Sequence, residues 1–436
     1  MEPRPPRMKG IVESFLSLKR NVVVMSLTGA LTNFGASAFQ PFIPLFLLAL
    51  GATVPEIGLV YVGIAIAGNL SIFGGFLADR VGRKATIVLF GLIGFGLFLS
   101  LSLISTWTLA LFVLFAGYFF ATLVQPAVTS TLAESVDLKD RANAFSTFWF
   151  LASLGLAVGV AVGGYLPNPG RFQINIFIIG VVGIAAALAR MGFLGETLPS
   201  EARSSGTIHR HGFFDVHTSR NIWLVLAALL LFNFSSGLGQ PLYALFSVQQ
   251  LKLSQGEFGI MVSISYLALM GGAFAAGRIS KSLGLRRMMI IAVVFSGLLV
   301  IPWIYAPNPY IAIGVFAVSG FFVQFYFVGN QALMSNLAKA QERSSVIGFI
   351  TTIAGLGVIA APYLGSQLWT LFDPRTPFLL SVLISVLAAI PLAVVSEIPV
   401  EQIPPQVPFV RWFCRYCGRE IDSNTTFCSY CGRNVI

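Results

Sequence analysis

The stretch Gly75-Phe76-Leu77-Ala78-Asp79-Arg80-Val81-Gly82-Arg83-Lys84 lies between two long apolar runs. Its ten residues hold one acid, three bases and two glycines, in a chain of which 10% is charged. The same skeleton returns 202 residues later as Gly277, Lys281, Gly284, Arg286 and Arg287, again with seven residues from glycine to glycine. A charged tight turn repeated at matching places points to a duplicated chain whose two copies meet near that turn.

The surroundings of the turn are too apolar for water. The chain has 436 residues, 56% of them hydrophobic and 39 of them Phe, with a mean hydropathy of +0.83. Soluble domains run at about 45–50% apolar and about 25% charged residues. Bilayer-crossing helices need such a composition, because each takes about 20 apolar residues to cross about 30 Å of hydrocarbon.

Cutting at every charge leaves ten long runs: 21–55, 57–78, 85–133, 142–170, 172–189, 221–251, 258–277, 288–338, 344–372 and 376–396. Two are double length and break at turn-like sites, Ser105-Thr106-Trp107 and Pro307-Asn308-Pro309. Twelve spans result, with no Asp, Glu, Lys, Arg or His well inside any of them.

With the N-terminus in the cytoplasm, outer loops hold Arg171, Lys252 and Arg375, and the other 24 of the 27 bases face inward. That bias predicts a multi-pass protein of the cytoplasmic membrane with both termini cytoplasmic. It also accounts for the net charge of +10 without nucleic acid, whose binding needs bases gathered on one patch. No cleavable signal peptide is expected, since the first apolar run is too long for one.

Further repeats fix the architecture. Asn33-Phe34 and Gln40-Pro41 return as Asn233-Phe234 and Gln240-Pro241, Glu56-x-Gly58 as Glu257-x-Gly259, and Gly155, Gly159 and Gly163 as Gly357, Ala361 and Gly365. The expectation is an all-α membrane protein of two six-helix bundles in parallel repeat. The predicted domains are a first bundle over 1–195, a cytoplasmic linker over 196–221, a second bundle over 222–398, a Pro-rich linker over 399–410 and a small tail over 411–436. The three histidines, His209, His211 and His217, fall in the first linker and read as solvated loop residues.

Within the turn, Gly75 permits close helix approach, Asp79 ends the second span, and Gly82 allows the reversal. An acid is not needed for topology, which counts Lys and Arg. Gly75-x-x-x-Asp79-Arg80-x-Gly82-Arg83-Lys84 resembles the signature loop of the major facilitator superfamily, and with the twelve spans the resemblance covers about residues 15–398. It implies a central cavity between two rocking bundles and alternating access. It also implies that Asp79 and Arg83 belong to a cytoplasmic charge network that Glu134 and Arg141 complete. The second copy departs, with Lys281 in place of the acid and Asn336 in place of Glu134, which predicts a lopsided gate.

The glycines of the fifth span, Gly155, Gly159 and Gly163, are similar to a stretch of the antiporter branch, except that Val160 stands where Pro is usual; plain helix packing explains them equally well. Val113 stands where that branch often has Arg. Proton coupling is therefore not expected, and if present would fall to Asp79, Glu134, Glu56 or Glu257. The cavity candidates are neutral amides on the spans that line the cavity in the family: Asn33, Gln40, Gln125, Asn233, Gln240, Gln324, Asn330 and Gln331. Interhelical hydrogen bonding is the plainer role for each, and Gln40-Pro41 and Gln240-Pro241 also read as helix breaks. With aromatic residues such as Phe34, Tyr243 and Tyr326 nearby, the cavity suits a neutral or lipophilic solute.

All four cysteines lie in the tail, as Cys414-x2-Cys417 and Cys428-x2-Cys431, each pair followed by Gly-Arg. Two such knuckles fit one tetrahedral Zn²⁺ and resemble a zinc ribbon, with the metal structural. Reduced thiols agree with a cytoplasmic tail.

No nucleophile-elbow, P-loop or dinucleotide motif is present, so an enzyme is not expected. The leading expectation is a secondary transporter embedded in the lipid bilayer that moves a small molecule outward. Uptake of a sugar or metabolite is one rival. Another is a transport-inactive receptor or scaffold that signals through a cytosolic protein bound to the tail.

Overall fold

The computed structural model describes residues 19–137, 140–166, 172–198, 220–337, 343–395, 412–413 and 420–421. Among the described residues ten helices are long and apolar enough to cross a membrane: Arg20–Ala49, Arg83–Leu103, Trp107–Glu134, Asn143–Tyr165, Gln173–Phe193, Arg220–Gln249, Gln255–Leu283, Leu285–Ile304, Pro309–Met334 and Thr376–Val394. A pair bent by 45°, Val54–Asn69 with Phe73–Val81, supplies the second span. The 29-residue helix Arg343–Leu371 supplies the eleventh. Numbered in chain order, these are twelve spans joined mostly by short turns. Odd spans run from the side of the membrane nearest both ends of the bundle (the near side) to the far side, and even spans run back.

Local sequence explains the punctuation. The first span breaks into a short 3₁₀ segment, Gln40–Phe42, with Pro41 inside it. The seventh breaks at the same register, between Gly239 and Tyr243, around Pro241. A ring without an N–H cannot continue the helical ladder. The two signature turns reverse on Gly82 and Gly284, at φ of 112° and 82°, a region side-chain-bearing residues rarely adopt.

Small residues set the packing inside each half. Span five lies against span one so closely that a Cβ on Gly155, Gly159 or Gly163 would collide with the backbone of Ala30, Phe34 or Ala38. Gly357 and Gly365 meet Leu230 and Leu238 of span seven in the same way. Of the two readings of this stripe, close helix packing is what the structure displays.

The halves join through two related crossings, span two on span eleven and span five on span eight. Asn69 Nδ2 donates to the Gly355 carbonyl at 3.3 Å in the first, and Ser263 Oγ to the Ala157 carbonyl at 2.7 Å in the second.

The apolar cores divide unequally across the membrane. On the far side one buried cluster draws on both halves, including Phe42, Leu47, Ile57 and Ile176 with Phe246, Phe258, Trp303 and Phe378. These residues sit at the far-side ends of their spans. On the near side there are two clusters, one of residues 22–194 and one of residues 222–395. The halves thus share a core at one end and keep separate cores at the other.

The tail forms a unit of its own, residues 396–436. In it β1, Trp412–Phe413, pairs antiparallel with β2, Glu420–Ile421.

Candidate functional site

Two sites emerge in the first half. The first is the charged turn. Arg83, the first residue of span three, has its side chain 11% exposed. Its Nη1 donates to Asp79 Oδ1 and its Nη2 to Glu134 Oε1 at 3.2 Å. Glu134 ends the fourth span, so one guanidinium ties the ends of spans two, three and four.

The chain after span six closes over this cluster. Thr197 Oγ1 donates to Glu134 Oε2 at 2.6 Å, and the Arg83 backbone N–H donates to Glu196 Oε1 at 3.0 Å. Gly82 has no side chain to cap span three, and Glu196 supplies the cap from 113 residues away. Arg141 Nε donates to the Ala133 carbonyl at 3.0 Å and, among the described residues, forms no ion pair with Glu134. Arg80 lies 4.1 Å over the Phe76 ring. Gly75 lies open beside Pro126, and Lys84 follows Arg83 in the first turn of span three.

The second copy of the turn has no such cluster among the described residues. Lys281 is exposed, and Arg286 Nη1 donates to the Val395 carbonyl at 3.0 Å, holding the end of span twelve. The side chain of Asn336 lies outside the described residues.

The second site is a cavity of about 300 Å³ lined by spans one, three, four, five and six. Asn33, Gln40 and Gln125 line it, with Tyr118, Phe90, Phe95 and Phe98. Asn33 Nδ2 donates to the Gly29 carbonyl of its own helix at 2.8 Å.

One lining residue refines an expectation. Arg190 belongs to the sixth helix, three residues before its end, and is 4% exposed. The sequence counts it with the cytoplasmic segment; the structure keeps it at the near-side end, in the last turn of the helix, but with its side chain buried. The signal for its place in the helix was the apolar stretch Met191-Gly192-Phe193-Leu194 that follows it.

The amides of the second half are not brought to this cavity. Asn233 Nδ2 donates to the Ala354 carbonyl at 3.0 Å and so ties span seven to span eleven. Gln240 and Gln331 are exposed, and Gln324 packs beside Gly272. Asn330 Oδ1 is buried without a partner among the described residues. Glu56 and Glu257 are helix caps: each carboxylate accepts from the N–H and hydroxyl of the residue before its helix, Thr53 at 2.7 and 2.8 Å and Ser254 at 2.8 Å from both.

With this geometry in place, the sequence profile of the Major Facilitator Superfamily matches residues 25–248 and 233–412. The chain belongs to the major facilitator superfamily. It is a multi-pass membrane transporter, not an enzyme, and interacts with the bilayer and with small-molecule substrates. Multidrug resistance protein 2 of Bacillus subtilis is 25% identical over 372 residues, covering 83% of this chain and 92% of that one. A multi-drug resistance efflux pump homolog of Lactococcus lactis is 22% identical over 365 residues, covering 80% and 88%. The solved structure of a bacterial homolog of the human lysosomal transporter Spinster, inward-facing and occupied, superposes with a TM-score of 0.72 at 14% identity, covering 86% and 96%. A zinc-ribbon domain profile matches residues 413–435 of this transporter. Its four cysteines lie outside the described residues.

Proposed function

We propose that the protein is a secondary active transporter that exports a neutral or lipophilic small molecule across the cytoplasmic membrane by alternating access. The observation that carries this reading is the aromatic, amide-lined cavity of about 300 Å³, in a protein whose two halves share a core at one end only. Such a cavity suits an apolar body with a few polar atoms. With both termini cytoplasmic, the near side is the inner face, and the arrangement is the inward-facing state from which export begins. The outward direction is supported by the similarity to a multidrug resistance protein and an efflux pump homolog.

In this reading Asp79, Arg83 and Glu134, with Gly75, Arg80, Gly82, Lys84 and Arg141 around them, form the inner gate of the first half. Partly shielded pairs contribute on the order of 1 kcal/mol each, enough to bias a two-state equilibrium. The bundles are taken to end near 195 and 398, with 196–221 as the linker.

The test is efflux of the neutral dye N-phenyl-1-naphthylamine from proteoliposomes, with and without a pH gradient, for the wild type and for Asn33→Leu and Gln125→Leu. Protein-dependent efflux that both substitutions slow supports the reading. Efflux indifferent to both places the solute elsewhere, and sugar uptake by the same liposomes would favour the importer.

We further infer that Cys414, Cys417, Cys428 and Cys431 hold Zn²⁺, which when bound supplies a fixed tetrahedral cross-link. Four thiolates fill the shell, so the metal stabilises the tail. Transport needs no such module, and the tail is read as a docking site for a cytosolic protein.

A further inference from the structure

The functional reading leaves one buried charge unused. We propose that Arg190 anchors an acidic group of the transported molecule, so that the cavity takes a lipophilic organic anion: an apolar body that carries a sulfonate, carboxylate or phosphate. This rests on the reading that solutes occupy the first-half cavity.

Arg190 is 4% exposed and lines the cavity. Its Nε donates to Thr28 Oγ1 at 2.9 Å, while that hydroxyl donates to the Val24 carbonyl at 2.6 Å. Thr28 thus orients the guanidinium but brings no charge. Among the described residues no carboxylate pairs with Arg190. The comparison with Arg83 is direct, because that guanidinium has two carboxylates. Arg190 lies in the last turn of its helix, where only the partial negative charge of the helix end offsets it; a buried cation without a carboxylate is costly, and one that lines a cavity is relieved by a ligand that brings the counter-charge. A planar fork of donors matches a group with two oxygens.

The duplication sharpens the point. The position 202 residues after Arg190 is Leu392, a fully buried residue of the second-half core. Arg190 is therefore not part of the repeated scaffold. Arg190 and Gly29 lie toward the near side, and Gln40 and Tyr118 toward the far side. From Gly29 to Gln40 the first span rises about 16 Å. The acidic group sits at Arg190 and the apolar body extends toward Phe95, Phe98 and Tyr118.

The experiment compares two dyes that share one ring system. 8-Anilinonaphthalene-1-sulfonate carries the acidic group, and N-phenyl-1-naphthylamine lacks it. Equilibrium binding is measured on the full-length protein in phosphatidylcholine nanodiscs, with empty discs subtracted. The wild type is expected to prefer the sulfonate by about tenfold or more, a tenfold step being about 1.4 kcal/mol. Arg190→Gln is expected to bring the two affinities together, and Arg190→Lys to keep part of the preference.

No preference in the wild type, or a preference undiminished in Arg190→Gln, overturns the proposal while leaving the cavity reading intact. If Arg190→Gln does not fold, an undiminished preference in Arg190→Lys overturns it instead. Ala36→Trp fills the cavity; if neither dye loses affinity there, the cavity reading falls and this proposal with it. Phosphatidylglycerol discs separate two sources of the same chemistry. Displacement of the sulfonate dye makes a lipid headgroup the occupant, and absence of displacement makes it a free solute; both keep the anion site.

Discussion

Gly58 and Gly259 stand 201 residues apart and hold the two far-side crossings of the transporter. A Cβ on Gly58 would lie 2.8 Å from the Pro362 carbonyl and against Ser366, while one on Gly259 would lie 2.8 Å from the Val160 carbonyl and 3.1 Å from Gly164 Cα. Val160 and Gly164 are the counterparts, 202 residues earlier, of Pro362 and Ser366.

Gly58→Leu and Gly259→Leu should each pry the far side open. The expected result is faster labelling of far-side cysteine probes by a membrane-impermeant thiol reagent, with transport reduced. Labelling unchanged in both variants would show that the crossings are not what seals that side.

The charged turns should differ in consequence. Asp79→Asn removes one acceptor from Arg83 and is expected to shift the balance between inner-open and inner-closed forms by up to about fivefold, the worth of about 1 kcal/mol. Lys281→Asn, which removes an exposed base with no partner in such a cluster, should shift it little. Accessibility labelling of near-side cysteines checks this, and equal effects refute the asymmetry.

Glu56 and Glu257 should behave as caps. Glu56→Gln and Glu257→Gln keep the shape but weaken the acceptor and lose the favourable charge at a helix N-terminus, so thermal stability should fall by about 0.5–1 kcal/mol each. The pH profile of transport should not move. A displaced profile with unchanged stability would make them titrating groups of the cycle.

The tail should carry metal without carrying transport. Elemental analysis is expected to find one zinc per chain, lost in the double variant Cys414→Ser, Cys417→Ser. Removal of residues 411–436 should leave the dye efflux rate unchanged and abolish capture of any cytosolic protein that the intact chain retains. Loss of efflux on truncation would tie the tail to the cycle itself.

The legible features were those that chemistry enforces locally. Pro41 and Pro241 lack an N–H, so the breaks in spans one and seven could be placed from sequence. Gly82 and Gly284 sit at a backbone angle few other residues tolerate. The glycine stripe was legible as small residues, but only the approach of Ala30, Phe34 and Ala38 selected packing as its role. The burial of Arg190 is not legible in the sequence, because the hydroxyl that meets its guanidinium belongs to Thr28, 162 residues away. The bond from Arg83 to Glu196 joins residues 113 positions apart and has no local signature. That Asn33, Gln40 and Gln125 share one cavity with Phe90, Phe95 and Phe98 depends on how distant spans pack, which a pattern of amides does not encode.

The shared far-side core has a thermal consequence. To open that side, rings such as Phe42, Phe258, Trp303 and Phe378 must be wetted, and apolar hydration carries a large positive heat capacity. The step that opens the far side should therefore have a curved temperature dependence, and cooling, which weakens hydrophobic attachment, should favour the form that faces outward.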